Sequence, residues 1–448
     1  MIMKEKYDVI IIGGGPSGIF ASLELVKETS LGVLLIEKGK DIENRTNVVS
    51  GFGGAGAFSD GKLTLSSTVG GQLEDYIGID QLDSLIQYVD GTYLEFGAPD
   101  NLYGTGEEAE EISQKASLAE LRLIPVIIRH MGTEKCRIVI KAMHEYLKSK
   151  IDIKLESMVS HIIVSDGEVK GVETEDGQKF YCDYLIVAPG REGSNWLVSQ
   201  ASLLKLELSN NPVDIGVRVE LPAPVMQKLT DSLYEVKLEY ISKSFDDRVR
   251  TFCMCPRGEV ICETTNGTEH ILTVNGQSYT NNKTNNTNFA LLVSTTFTAP
   301  FHEPIAYGVY LARLANILSG GVLIQRLGDL LTGHRSTPSR INKGLVKPTL
   351  SSAIPGDISF VLPYRQMTGI IEMLKAMDKL APGVASSNTL LYGVEVKFYS
   401  SRLKLNSNLE TEISNMFAVG DGAGISRGLI QASASGIVAA REVVRRSG

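Results

Sequence analysis

The run Asp8–Ile12 (DVIII) is almost entirely β-branched and aliphatic, the pattern of a strand buried on both faces. Gly13-Gly14-Gly15-Pro16-Ser17-Gly18 follows it without a spacer. Apolar positions then recur at helical spacing through Ile19–Lys27, and Gly32–Glu37 (GVLLIE) returns to a buried strand that ends in an acid. Strand, tight turn, helix and strand predict one βαβ unit, and the rest of the chain is organised around it.

Further along, Asp75–Leu121 carries helical periodicity and few β-branched residues, which predicts a helical insertion. Thr133 is placed to cap a helix over Glu134–Lys148. Ile151–Leu155 leads into a meander with turns at Asp166-Gly167 and Asp176-Gly177, and the meander closes on Tyr184–Gly190 (YLIVAPG), a buried strand running into a glycine turn. From Leu206 to about Ser400 strands and polar loops dominate. Asp214–Glu220, Thr251–Cys255, Glu259–Thr264 and Ala290–Thr296 read as sheet, and Val274–Asn288 as an Asn/Thr-rich loop or hairpin end. Pro304–Leu318, Ile324–Leu331 and Tyr364–Leu380 read as helices. Met416–Gly424 (MFAVGDGAG) delivers one more strand onto glycines, ahead of a helical segment Leu429–Arg446.

Each residue type in the first turn has a physical job. Gly13 allows the sharp turn, Gly15 lets backbone approach a pyrophosphate, and Gly18 lets the helix pack on the strand, while the helix start presents N–H groups and positive dipole to phosphate. Glu37 sits where a carboxylate accepts from ribose hydroxyls, which disfavours a 2′-phosphate and points to FAD or NAD rather than NADP. A plain glycine turn is the alternative. The stretch Ser50–Leu63 is rich in glycine and alanine, too flexible for helix or strand, and ends in Ser59-Asp60-Gly61-Lys62. Backbone of that kind suits close approach to a flat ligand, against the plainer reading of a surface loop. At the other end, Asp421 is placed to hydrogen-bond a ribityl chain, and the helix starting near Leu429 aims its positive end at the same place.

Composition narrows the classes. The 448 residues carry a formal charge of −8 with no block of like charges, which argues against a nucleic-acid partner. The first strand begins within eight residues and no apolar run approaches membrane-spanning length, so the expectation is a cytoplasmic protein with no membrane partner. Five scattered cysteines fit reduced thiols better than a disulfide framework. Nothing in the sequence specifies an oligomeric state or a metal site.

The GGGPSG turn, the stretch Gly51–Leu63 (GFGGAGAFSDGKL), Arg129-His130-Met131-Gly132-Thr133 and the late GDGAG together resemble the FAD-dependent dehydrogenases often labelled NAD(FAD)-utilising dehydrogenases, among the glutathione-reductase-like flavoproteins. The resemblance runs along most of the chain. It implies an α/β fold: a Rossmann-like FAD-binding domain with a central parallel sheet, interleaved with a mixed β-rich substrate domain. The expected boundaries are 1–74, 122–205 and 401–448 for the FAD domain, 75–121 for the helical insertion and 206–400 for the substrate domain.

The cofactor contacts expected on these grounds are Gly13, Gly15, Pro16, Ser17, Gly18, Glu37 and Lys38 in the first unit, and Gly53, Gly54, Ala55 and Gly61 in the glycine-rich stretch. The resemblance adds Val159 through its backbone at adenine, with Ala188 and Gly190 behind the dinucleotide. Gly420, Asp421, Gly428, Leu429 and Ile430 complete the set. Pro189 stands where threonine is common in the family. Glu395, in Gly393–Lys397, matches a family segment that departs here from Lys397 onward.

Hydride chemistry belongs to the flavin, so catalytic side chains are hard to read. Lys62, ending the glycine-rich loop, and His130, beside Arg129, are the candidates for donating a proton or binding an anionic substrate; a surface lysine and a core histidine are the plainer readings. Arg427 could bind an anion near the ring. Cys253 and Cys255 would share one face of a strand, and core packing is the preferred reading of that pair. The expected function is a FAD-dependent oxidoreductase passing hydride between flavin and a small-molecule substrate; a flavin monooxygenase or ene-reductase, or a sensory flavin-binding protein, are the alternatives. Between Gly190 and Ile413 no second GxGxxG follows a strand, so nicotinamide cofactor is expected only as a transient visitor.

Overall fold

The computed structural model describes residues 4–45, 50–57, 59, 61–209, 213–265, 271–279, 283–295, 304–397 and 402–448, of which the side chains of 265, 304 and 305 are not described. The chain forms two compact units, the first from 1–101, 129–211 and 400–448, the second from 102–128 and 212–399. The stretch expected as one helical insertion is shared between them. Helix Ile79–Glu95 lies in the first unit and helix Glu107–Leu118 in the second.

The first unit is built on a seven-stranded sheet. Lys6–Ile12 is central, parallel to Val33–Ile36 on one side and to Lys179–Val187 on the other, and Met416–Ala418 runs parallel to that last strand. In this register Ile12 lies level with both Ile36 and Val187, so three strands end together. Residues 9–12, Val33–Ile36 and 185–187 are apolar and buried because both faces of this part of the sheet are covered, as parallel sheets require. Pro16–Glu28 and Leu429–Ser447 pack closely: a Cβ on Gly436 would lie 2.0 Å from the Ser17 carbonyl oxygen. The meander strands Val159–Ser165 and Glu168–Thr174 join antiparallel at the other edge.

The second unit holds an eight-stranded mixed sheet. Val213–Pro222 is its buried centre, antiparallel to Asn286–Thr295 and to Leu390–Lys397. Val213, Ile215, Val217, Val219 and Leu221 join the apolar core, while the alternate positions carry Asp214, Arg218 and Glu220, also buried. A separate hairpin, Glu259–Thr265 with Ile271–Gln277, crosses close to those polar positions: a Cβ on Gly276 would meet Arg218 Nη2 at 2.2 Å.

Several sequence expectations are corrected. Thr133 does not cap its helix; it is the first helical residue, and Gly132 with φ of 77° occupies the cap, so backbone geometry rather than a hydroxyl starts the helix. Ile324–Leu331 is not one helix, because Leu323–Arg326 pairs with Leu390–Lys397 as a strand and only Leu327–Leu331 coils. Val274–Asn288 contains strand at both ends, its apolar positions being claimed by neighbouring strands. The glycine-rich stretch is not shapeless, since Gly54–Ala57 forms a turn of 3-10 helix. Its Phe58 and Asp60 lie outside the described residues, as does Thr296 of the fourth strand expected. Cys253 and Cys255 do not keep strand alternation, because the ladder shifts register between Phe252 and Cys255 and Cys253 has φ of 44°.

Candidate functional site

The first strand ends level with its neighbours at the glycine turn. Gly13 has φ of 102°, and a Cβ there would lie 2.1 Å from the Ala188 carbonyl oxygen; one on Gly18 would lie 1.9 Å from the Gly13 oxygen. Both glycines are demanded by the fold itself. Gly15 differs: an added Cβ would come no nearer than 3.9 Å, to Gly54 Cα. That opening lies at the start of helix Pro16–Glu28, whose cap residue is Gly15 and which no side chain caps. Pro16 at the first helical position costs nothing, because its missing N–H would have had no helical partner. The turn therefore has the open backbone, free helix end and local dipole that a pyrophosphate needs, and the residues present fit FAD.

Glu37 does more than end the second strand. Its Oε2 accepts from the Gly14 N–H at 2.8 Å, and its Oε1 from the N–H groups of Gly39 at 2.8 Å and Gly51 at 3.1 Å. A carboxylate offers about four lone-pair directions, so one remains on Oε2. The side chain thus ties the phosphate turn to the glycine-rich stretch. Gly53 closes the connection by donating to the Gly14 carbonyl at 2.7 Å. Phe52 is buried beneath, its ring centroid 4.2 Å from that of His144, whose pKa burial lowers. Arg45 was missed by sequence reasoning: it is buried and its Nη1 donates to three carbonyls of the 51–54 backbone. The signal was an arginine in an otherwise plain polar stretch, and nothing local marked it.

The late strand Met416–Ala418 delivers Gly420, with φ of 78°, against Ser17: an added Cβ would sit 2.3 Å from its Oγ. Ser435 reaches back from the last helix, its Oγ accepting from the Gly420 N–H at 3.0 Å. Asp421 accepts from Ser426 Oγ at 2.6 Å and Arg191 Nε at 2.9 Å. Helix Leu429–Ser447 has Gly428 at its cap and no side-chain cap, so a second open helix start belongs to this unit. Leu429 packs near Gly56, whose added Cβ would lie 3.4 Å from Leu429 Cδ2, and Ile430 is buried. Gln431, not anticipated, accepts from the Leu73 N–H and donates to the carbonyls of Ser67 and Val69.

Of the remaining expected residues, Ala188 is buried with its N–H donated to the Ile12 carbonyl at 2.7 Å, and Gly190 takes φ of 63° with nothing near its Cβ position. Val159 starts its strand opposite Thr174 and is buried, and Lys38 pairs with Glu192 at 3.3 Å. Lys62 and His130 flank a shared contact: the Met131 N–H donates to the Gly61 carbonyl at 2.9 Å. Gly61 has no room for a side chain, its Cβ position being 2.4 Å from Cys136 Sγ. Arg129 is buried and bidentate on Asp90, at 2.7 and 2.8 Å, with a further bond to the Pro99 carbonyl. That pairing, reinforced by Asp90, raises its pKa despite burial and makes it a structural anchor. Glu395 lies in the second unit, wholly buried against Arg218 at 3.2 Å and Lys397 at 3.0 Å. Among the described residues no cluster of three His, Cys, Asp or Glu could hold a metal ion, and no helix is long and apolar enough to cross a membrane.

Residues 212–398 match the family model described as FAD-dependent protein, C-terminal domain-like, and residues 106–223 match Pyridine nucleotide-disulphide oxidoreductase. An uncharacterized protein of Clostridium beijerinckii is 27% identical across 98% of this chain and 80% of its own length. A digeranylgeranylglycerophospholipid reductase of Methanocella arvoryzae is 44% identical over 54 residues, 12% of this chain and 14% of its own. Among solved structures, 3-ketosteroid-Δ4-(5α)-dehydrogenase from Rhodococcus jostii RHA1 covers 99% of this chain and 98% of its own at 13% identity and TM-score 0.46. L-proline dehydrogenase from P. horikoshii covers 99% and 95% at 13% identity and TM-score 0.45. The chain is a FAD-dependent oxidoreductase with a Rossmann-type first unit.

Proposed function

We propose that this oxidoreductase is a dehydrogenase or reductase of the glutathione-reductase-like group that passes hydride between FAD and a small organic molecule in the cytoplasm. One observation carries the reading. Gly15 leaves an open cradle at an uncapped helix start, while Gly13 and Gly18 beside it are closed by backbone. When bound, FAD supplies a two-electron carrier, and the chain's residues supply its holding and surroundings. The N–H groups of the first helical turn take the pyrophosphate, and the remaining lone pair of Glu37 Oε2 takes a ribose hydroxyl. Lys38, paired with Glu192, is the cationic neighbour assigned to the same end of the cofactor. Gly53, Gly54, Ala55 and Gly61 give backbone to the ring's edge, Val159, Ala188 and Gly190 line the adenine side and back, and Gly420 with Asp421 holds the ribityl chain. Gly428, Leu429 and Ile430 bring the second helix dipole to the ring. Lys62 Nζ and the His130 imidazole are the candidates for binding an anionic substrate or moving a proton.

Nicotinamide cofactor has no second glycine turn to receive it, so it visits only transiently and binds weakly, its pyrophosphate lacking a prepared anion site. The test is the visible spectrum of purified protein before and after reductant. Flavin bands that bleach, with FAD released on heating, are expected; FMN, no flavin after reconstitution, or a flavin no reductant bleaches would overturn the reading. Calorimetric titration of the oxidised enzyme checks the second point, where low-micromolar NADH or NADPH binding would contradict it.

A further inference from the structure

The backbone from Gly51 to Gly54 belongs to no sheet, yet it is fixed from two sides. Arg45 Nη1 donates to the carbonyls of Gly51 at 3.1 Å, Phe52 at 2.7 Å and Gly54 at 2.9 Å. From the other side, Glu37 holds the Gly51 N–H and Gly14 holds the Gly53 N–H. A trans peptide is planar, with its N–H opposed to its C=O. Turning the Gly54 carbonyl onto Arg45 therefore points the Ala55 N–H the opposite way, and in the first residues of the Gly54–Ala57 turn that N–H has no helical partner. Gly54 itself rests on the phosphate turn: its Cβ position is 3.0 Å from Gly15 Cα. The donor is thus presented from backbone that lies against the cradle at Gly15.

We propose that Arg45 is a positioning residue for FAD, orienting this backbone so that the Ala55 N–H donates to the bound cofactor. The inference rests on FAD occupying the first unit. Arginine suits the task because its delocalised guanidinium is more weakly hydrated than an ammonium and so is buried among carbonyls at lower desolvation cost. Burial lowers its pKa to about 10, with Glu37 and Glu192 holding it up, so it stays charged at neutral pH.

The experiment compares wild type, Arg45→Met and Arg45→Lys for FAD affinity, flavin midpoint potential, amide exchange at Ala55 and melting of the apoprotein. Arg45→Met is expected to weaken FAD at least tenfold, to shift the potential and to abolish the slowing of Ala55 exchange that FAD causes in wild type, while the apoprotein, with three carbonyls short of a donor, melts lower but loses less than the holoprotein does. Arg45→Lys should recover part of the affinity and exchange protection. Wild type that loads FAD beside an Arg45→Met protein with equal affinity and Ala55 protection would overturn this inference alone. An apoprotein destabilised as much as the holoprotein would reduce Arg45 to a structural role and overturn it too. Wild type that takes up no FAD would overturn both this inference and the reading beneath it.

Discussion

The glycine-turn site of the first unit and the buried network of the second present polar groups in opposite ways. In the first, the polarity of the site is mostly backbone: glycine turns at 13–18 and 420–424 and two helix starts without side-chain caps, all exposed by residues chosen for having no side chain. In the second, the buried polarity is side chain. Arg218 and Glu395 are both wholly buried and paired, with Nε of Arg218 on Asn288 at 3.0 Å and Nη2 on the Cys253 carbonyl at 2.6 Å. Burial opposes that charge, but Glu395 and the neighbouring cysteines outweigh it and raise the arginine pKa. Glu220 is equally buried, accepting from Thr349 Oγ1 at 2.6 Å, Asn286 Nδ2 at 2.9 Å and the Tyr392 hydroxyl, whose own pKa burial and Glu220 push well up. A site made of backbone stays open to a ligand. A network made of paired side chains spends most of its donors and acceptors on itself, Asn288 Nδ2 being the exception.

The sharpest way to break this contrast is to remove one member of the paired network. Arg218→Leu should cost about 3–5 kcal/mol, the usual penalty for stranding one partner of a buried ion pair. Lys397 at 3.0 Å softens but does not remove it. Arg218→Leu with Glu395→Leu should recover most of the loss in denaturant unfolding of the same protein. Losses that simply add would show that the two side chains do not act as a pair.

Glycines give the next largest effect and separate two roles inside one turn. Gly13→Ala and Gly18→Ala each push a Cβ into a backbone carbonyl, at 2.1 and 1.9 Å, and should each lower apoprotein stability by about 3 kcal/mol, the upper end for overpacking. Gly15→Ala meets nothing nearer than 3.9 Å, so the apoprotein should unfold as wild type does while FAD uptake falls. Equal apoprotein losses in all three variants would mean that Gly15 serves the fold rather than the ligand.

That contrast also explains what the sequence disclosed. The GGGPSG turn was legible because neighbours within a dozen residues impose it: a strand before, a helix after, and glycine where φ or crowding permits nothing else. Gly420 and the strand before it could be read for the same local reason. Asp214, Arg218 and Glu220 alternate with aliphatics in DIGVRVE and so carry the signature of a half-exposed strand. The structure buries them because each finds a partner on another strand: Asp214 takes Arg250 and Ser294, while Arg218 and Glu220 take Glu395 and Tyr392 from more than 170 positions away, and no local pattern records such partners. Arg45 escaped for a related reason: what it binds is carbonyl oxygen, which every residue carries. Thr133 was misjudged because a capping residue type was present where glycine backbone had already done the work.

Glu37 stands between the two regimes, a side chain whose partners are backbone. Glu37→Ala should weaken FAD retention by about 1–3 kcal/mol, the range for charge-assisted hydrogen bonds, and should also loosen the apoprotein because three N–H groups lose their acceptor. Glu37→Gln keeps the shape but supplies only one acceptor oxygen, so it should fall between. Undiminished FAD occupancy in Glu37→Ala would remove the ribose assignment.

Among the side-chain truncations the smallest expected effect on stability belongs to Asp421, and its smallness is what makes it informative. Its ionic partner Arg191 is 66% exposed, and an exposed pair of this kind is worth at most about 1 kcal/mol. Asp421→Ala should therefore lower apoprotein stability by only about 1 kcal/mol, chiefly from the Ser426 hydroxyl left without its acceptor, and acceleration of FAD loss on dialysis beyond that reports the cofactor contact. Asp421→Asn then divides the explanations. A ribityl hydroxyl needs only an acceptor oxygen, which the amide still offers, so flavin loss in Asp421→Asn should stay close to wild type. If instead the carboxylate acts by holding Arg191 beside the cofactor, the neutral amide fails as badly as alanine, and Arg191→Gln fails with it. Unchanged release in both Asp421 variants would make the residue part of the turn alone and leave the late glycines to hold that end of FAD without it.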